Sequence, residues 1–142
     1  IMMCNALLNA INTASQTVAA DGFVDFDTNR ILTNCKVLNH VSGSNAVLVK
    51  GCGIYSIFVD LNIVPTAEGD ITVQLLNNGE IIPSAQATIL AVAGNSYHIS
   101  ISTLLRVLKS CPCVIDNTAS LQVQVTGAAT VNNANIIVIR EA

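Results

Sequence analysis

The sequence predicts an all-β protein, a jelly-roll sandwich of about ten strands, on three observations. From about residue 18 onward apolar and polar side chains alternate with a period of two, the spacing of a strand with one face in a core. The alternation is broken at Asp21-Gly22, Ser42-Gly43-Ser44, Pro65 to Gly69, Gly94-Asn95, Asp116-Asn117 and Asn132-Asn133, as turns punctuate a run of short strands. The third observation is Asn78-Gly79 inside VQLLNNGEII. A two-residue type I′ turn needs positive φ at both central positions, which Asn and Gly tolerate best, so residues 71 to 84 read as an antiparallel hairpin.

In chain order, the first segment is different in kind. Within residues 1 to 17, Met3, Leu7, Ala10 or Ile11, and Ala14 recur at helical spacing. That predicts a short helix, an attachment arm set apart from a jelly-roll domain over residues 18 to 142, with Met3, Leu7, Leu8 and Ile11 as its apolar contacts. Asn5, Asn9 and Asn12 lower helix propensity, so such a helix needs a partner surface. The alternative is a strand-like or disordered tail.

The strands that follow are read from their parity. GIYSIFVDLNIV places Tyr55, Ile57, Val59, Leu61 and Ile63 on an inward face, with Ser56, Asp60 and Asn62 opposite. DITVQLL turns Ile71, Val73 and Leu75 inward, SYHISIS does so with Tyr97, Ile99 and Ile101, and SLQVQVT with Leu121, Val123 and Val125. Gly51 and Gly53 precede the longest of these runs and let the chain turn sharply into it. STLLRVLKS, residues 102 to 110, is either a short capped helix or a strand buried on both faces, and periodicity does not separate the two.

Composition bounds the function. A chain of 142 residues is one ordinary domain, long enough to bury a core without staples. Only 11% of residues are charged against 51% hydrophobic, and the mean hydropathy is +0.58, so some apolar surface is expected to be covered by another chain. No run approaches the roughly 18 to 20 apolar residues of a membrane-spanning helix, and no membrane partner is expected. The net charge of −3 and six scattered Lys and Arg argue against nucleic acid as a partner. IMMCNALLNA lacks the basic start and long apolar core of a signal peptide.

Chemistry-bearing residues are few and scattered. The five cysteines, Cys4, Cys35, Cys52, Cys111 and Cys113, are odd in number and irregular in spacing, so most are read as buried small apolar residues of a protein made in a reducing cytoplasm. Cys111-Pro112-Cys113 is too tight for a structural zinc pair and has no second pair, so no metal or other cofactor is expected. Of the two histidines, His40 and His98, the second alternates with Tyr97 and Ile99 and should project away from the core. No nucleophile motif accompanies either, and an enzyme is not expected. DGFVDFD, the densest acidic cluster, reads as a strand with solvated charges on one face; the sharper reading, a metal site gathered from three chains, lacks the spacing of a calcium loop.

The order VLVKGCGIYSIFVDLNI followed by DITVQLLNNGEII resembles the globular heads of complement-type and tumour-necrosis-factor-like jelly rolls. Gly53, Tyr55 and Ile57, then Val73, Leu75, Asn78 and Gly79, are the matching positions. In its Ala/Val/Thr-rich, aromatic-poor texture and its last strand, NANIIVIRE, the chain looks most like the tips of bacterial spore-surface collagen-like glycoproteins and the heads of phage fibres. The resemblance implies a ten-strand jelly roll forming a homotrimer through one sheet, with Phe58, Leu90, Val92 and one or more of Leu104, Leu105 and Val107 lining the threefold contact. The pairing of a helical-looking, uncharged N-terminus with a β domain, together with free cysteines and no export signal, leads further to a structural surface protein, a phage capsid decoration or head-fibre knob assembled in the host cytoplasm and displayed on the virion, attached to the capsid through residues 1 to 17. Two alternatives stand beside it: the trimeric tip of a collagen-like spore or cell-surface protein, and a carbohydrate- or receptor-binding module using loops such as 65 to 70 and 127 to 135. With no Trp and only two Tyr, both placed inward, a sugar-stacking platform is hard to build.

Overall fold

The computed structural model describes residues 6–33, 37–50, 53–107 and 119–141. All five cysteines lie outside them, as do Met3 and residues 108 to 118. Among the described residues there are twelve strands: β1 Leu7–Asn12, β2 Gln16–Val18, β3 Gly22–Phe23, β4 Thr28–Thr33, β5 Leu38–Asn39, β6 Val47–Val49, β7 Gly53–Pro65, β8 Gly69–Asn77, β9 Glu80–Ala91, β10 Tyr97–Val107, β11 Ala119–Val125 and β12 Ala129–Arg140. They form two six-stranded antiparallel sheets. The first runs β10-β7-β12-β1-β4, with β2 paired to β12; the second runs β5-β6-β11-β8-β9, with β3 paired to β11. The count exceeds ten through short pieces such as β3 and β5, two residues each.

The long strands form where alternation is cleanest. Tyr55, Ile57, Val59, Leu61 and Ile63 of β7 are all buried, as are Ile71, Val73 and Leu75 of β8 and Leu121, Val123 and Val125 of β11. Each sheet turns these rows toward the other, and the two inner faces make the core. Gly53 opens β7 at φ +146°, a backbone open to glycine and strained for other residues. Asn78 (φ +52°) and Gly79 (φ +83°) make the tight turn between β8 and β9, in the register Asn77↔Glu80. The Asn78 side chain does a second job: its Oδ1 accepts from the Ser120 amide at 2.8 Å, tying the hairpin to β11.

Two expectations are corrected. Leu7–Asn12 is not helical; it is a strand inside the first sheet, paired with β12 on one side and β4 on the other. Leu8 and Ala10 are fully buried, while Leu7 and Ile11 point to the opposite face. An inner strand with apolar residues on both faces loses the period of two, and the remaining spacing imitates a helix. Here β pairing on both sides overrides a weak helical preference that three asparagines had already lowered. Residues 7–12 are therefore part of the jelly roll rather than an arm outside it. The second correction concerns 102 to 110: the described part, through Val107, continues β10 and is buried on one face only, so that Leu105 and Val107 enter the core while Leu104 points outward.

DGFVDFD alternates as expected, although only Gly22–Phe23 of it pairs as a strand. Val24 and Phe26 are fully buried, and Asp21 and Asp25 are exposed. Asp27 accepts from the Thr28 hydroxyl at 2.9 Å and from the Thr13 amide at 3.3 Å. Partial burial pushes its pKa up, and these hydrogen bonds outweigh that push and hold it below the ordinary carboxylate value.

Candidate functional site

The outer faces of the two sheets differ in chemistry, and that of the first sheet is the candidate site. Register fixes which of its side chains are neighbours. Leu104 of β10, Ser56 of β7, Ile139 of β12 and Leu7 of β1 form one row. The next is Ser102, Phe58, Ile137, Asn9 and Ile31 of β4. Phe58 is 41% exposed, Leu104 66% and Ile31 41%. Ile54, beside Arg106 beyond the first row, is 39% exposed. Large apolar side chains thus stand together across five strands of a solvent-facing surface, the pattern of a surface that another chain covers.

Toward the other end of the same face the rows become polar. Ser100, Asp60, Asn135, Ile11 and Thr28 make the third row, and His98, Asn62 and Asn133 the fourth. His98 projects from the face opposite the core, as its parity predicts. Its Nδ1 lies 2.9 Å from Asn62 Oδ1, and the Asn62 amide donates to Asn133 Oδ1, a chain of bonds across three strands. His98 Nε2 is 3.8 Å from Asp60 Oδ1. Between the apolar and polar ends, Asn9 is buried in the second row, where its amide donates to Asn135 Oδ1 and to the Ile136 carbonyl, and its Oδ1 accepts from Arg30 at 3.4 Å.

The outer face of the second sheet carries hydroxyls and amides over β8 and β11, with Leu90 and Ile81 exposed on the edge strand β9. Thr72 and Thr88 hydroxyls are 2.8 Å apart across β8 and β9. Gln74 donates to Gln124 at 2.7 Å, Gln124 to the Asp21 carbonyl at 3.1 Å, and Gln122 to Asn45 at 2.9 Å.

The six residues expected at a threefold contact do not share one surface. Phe58 and Leu104 lie on the apolar end described above. Leu105 and Val107 are buried in the core, at 6% and 8% exposure, because parity within β10 turns them inward. Leu90 (75% exposed) belongs to the second sheet, opposite Asp70, and Val92 follows the end of β9. Of the arm residues, Leu8 is in the core, and Leu7 and Ile11 lie on the outer face of the first sheet. Ile137, Ile139 and Ile31 escaped sequence reasoning. The signal for the first two was IIVI at 136 to 139, four apolar residues in succession, which marks a strand with apolar side chains on both faces.

Among the described residues no three His, Cys, Asp or Glu side chains gather as a metal site, and no helix is long and apolar enough to cross a membrane. Tyr55 is fully buried, where loss of solvent raises its pKa against the opposing pull of the Arg140 charge. Tyr97 is half-buried, its hydroxyl accepting from the Val92 amide at 2.9 Å. Neither ring is presented at the loops near 65 to 70 or 127 to 135 as a platform for a sugar.

This architecture is the jelly roll of tumour-necrosis-factor-like and complement-type domains. The solved structure of Eiger TNF from S. frugiperda matches with a TM-score of 0.72 at 13% identity, over 99% of this chain and 94% of that one. The globular domain of zebrafish complement 1qA protein matches with a TM-score of 0.66 at 10% identity, over 96% of each chain. Murine APRIL at pH 5.0 matches with 0.62 at 10% identity, over 96% of this chain and 99% of that one. At such identities the likeness is one of fold. No protein-family model matches the chain, and no curated protein matches it by sequence.

Proposed function

We propose that this chain is a non-enzymatic structural head that works as a homotrimer, with the outer face of the first sheet as the contact between copies. The observation that carries this reading is the contiguous apolar end of that face, Phe58, Leu104, Ile31, Ile137, Ile139 and Leu7, in a molecule whose other outer face carries Thr, Gln and Asn and exposes Leu90 and Ile81 on its edge strand. Covering such a surface gains about 25 cal/mol for each Å² of apolar area removed from water, which favours association. The fold shared with tumour-necrosis-factor-like and complement-type domains supports the same reading, as does a charge fraction of 11%.

The setting we propose is the outside of a phage particle, as a capsid decoration or head-fibre knob, with the tip of a collagen-like spore or cell-surface protein as the alternative. It is supported by the aromatic-poor, Ala/Val/Thr-rich texture of the sequence. Because β1 sits between β12 and β4, attachment through residues 1 to 17 is confined to the part of that segment outside the strand. A Phe58→Asp variant tests the contact: it is expected to lose the trimer while keeping its β-sheet circular dichroism, and an unchanged oligomer mass overturns the assignment. The setting is tested by mass spectrometry of gradient-purified phage particles, where peptides of this chain are expected. Their presence only on spore or cell envelopes overturns it.

A further inference from the structure

Where the outer face of the first sheet turns polar, three strands together hold one histidine ring in a fixed state. The Asn62 amide on β7 donates to Asn133 Oδ1 on β12, which turns Asn62 Oδ1 toward His98 Nδ1 on β10, 2.9 Å away. An amide oxygen only accepts, so Nδ1 carries the proton and the lone pair of the neutral ring lies on Nε2. That atom is 3.8 Å from Asp60 Oδ1, its diagonal neighbour on β7, and both side chains reach solvent, His98 at 61% exposure and Asp60 at 39%. We infer that His98 and Asp60 are part of a divalent transition-metal site of the zinc class, completed when copies of this chain meet.

A metal-bound imidazole donates its second ring nitrogen to an oxygen that fixes the tautomer and the ring plane, and Asn62 does this for His98. Zinc bonds to imidazole nitrogen and carboxylate oxygen run about 2.0–2.2 Å, so one ion can touch donors up to roughly 4.2 Å apart. A small turn of the half-exposed carboxylate brings Nε2 and Oδ1 to the about 3.4 Å of a tetrahedral pair. Imidazole with carboxylate suits zinc and its neighbours in the first transition row, whereas calcium takes an all-oxygen shell. One copy supplies only two ligands, short of the three or four that hold zinc firmly. Completion of the site rests on the homotrimer reading. Phe58 and Leu104, exposed at the apolar contact, stand on β7 and β10, and Asp60 and His98 continue the same two strands. Copies that meet through Phe58 and Leu104 around an axis along these strands bring their His98-Asp60 pairs to one level. No Lys or Arg stands in the rows of Asp60 and His98 among the described residues, so three carboxylates drawn together there repel one another. A divalent ion held between imidazole and carboxylate groups of different copies removes that repulsion and ties the copies together.

The test titrates the full chain with Zn²⁺ by calorimetry, beside His98→Ala, with the mass of each followed by light scattering. Thiols also bind zinc, so the difference between the two proteins is the readout. The unsubstituted protein is expected to take one more ion for every three chains than His98→Ala, and Asp60→Ala is expected to lose the same ion. In ¹⁵N-histidine spectra, His98 is expected to carry its proton on Nδ1 without zinc and to shift at Nε2 with it. His40, buried with its ring nitrogens against Asn29 and the Ser44 carbonyl, is expected to stay unmoved. Asn62→Ala, which removes a positioning residue, is expected to bind the ion about 10–100-fold more weakly and to lose the fixed tautomer. Equal zinc uptake by a trimeric unsubstituted protein and a trimeric His98→Ala overturns the inference. So does an ion bound once per chain, or a zinc-free His98 that carries its proton on Nε2. A chain that stays monomeric with and without zinc overturns the homotrimer reading and the shared site with it, a result the mass alone separates from the others.

Discussion

The two outer faces of this sandwich are built by the same rule and end in opposite chemistry. On the second sheet, the positions alternating with the core hold Thr72, Thr88, Gln74, Gln122 and Gln124, bonded to one another, to Asn45 or to nearby backbone, with Leu90 and Ile81 exposed on the edge strand. On the first, the equivalent positions hold Phe58, Leu104, Ile137, Ile139 and Leu7 at one end and Asp60, Asn62 and His98 at the other. Strand alternation settles only which residues leave the core; what is placed there decides whether the surface meets water or another protein. Amides and hydroxyls bonded to one another have little to gain from association, whereas the contiguous apolar half of the first sheet has much.

The largest expected effect breaks the comparison directly. Phe58→Asp places a charge in the middle of the apolar end and is expected to abolish the oligomer, while Thr88→Asp, on the exposed edge strand of the other sheet, leaves the mass unchanged in size-exclusion light scattering. Neighbouring residues on β1 sharpen it further. Leu8 is fully buried, so Leu8→Ala should cost about 2–5 kcal/mol in urea unfolding, with the loss seen even in dissociated protein. Leu7→Asp, on the outer face, should instead weaken association. Gly127 lies where a Cβ would stand 2.6 Å from Ile71 Cγ1, so Gly127→Ala should cost about 1–3 kcal/mol by overpacking.

Smaller effects are expected on the polar face and at its margins. Gln74→Ala removes the donor to Gln124 Oε1 in a half-buried ladder and should cost about 1 kcal/mol with no change in oligomer mass. The smallest effect is one of pH. Asp27 has a depressed pKa when folded, so its unfolded form takes up the proton first as pH falls. Its contribution is present above the ordinary value of 3.8 and is lost below it. Asp27→Asn should therefore flatten the acid limb of the melting temperature against pH below about pH 4 and slightly lower stability at neutral pH, where the carboxylate's contribution is present.

Much of the fold was legible because β7, β8 and β11 alternate over five or more residues, and because Asn78-Gly79 names its own turn. β1 was not legible, since an inner strand with Leu8 and Ala10 inward and Leu7 and Ile11 outward shows no clean period. Phe58 could be found from sequence as a large apolar residue at a polar parity. Leu104 could not be told from Leu105, because TLLRVL has apolar residues at both parities and only pairing with β7 decides between them. The gradation along the face was also hidden. It arises from side chains of β7, β10 and β12 that are far apart in the chain and become neighbours only through the register Asn62↔His98 and Asn62↔Asn133.

The most direct test of the central claim is the solution mass of the 142-residue chain by light scattering after size exclusion, with and without reductant. A homotrimer built on the first sheet gives three times 14.9 kDa in both conditions. A stable 14.9 kDa monomer contradicts it.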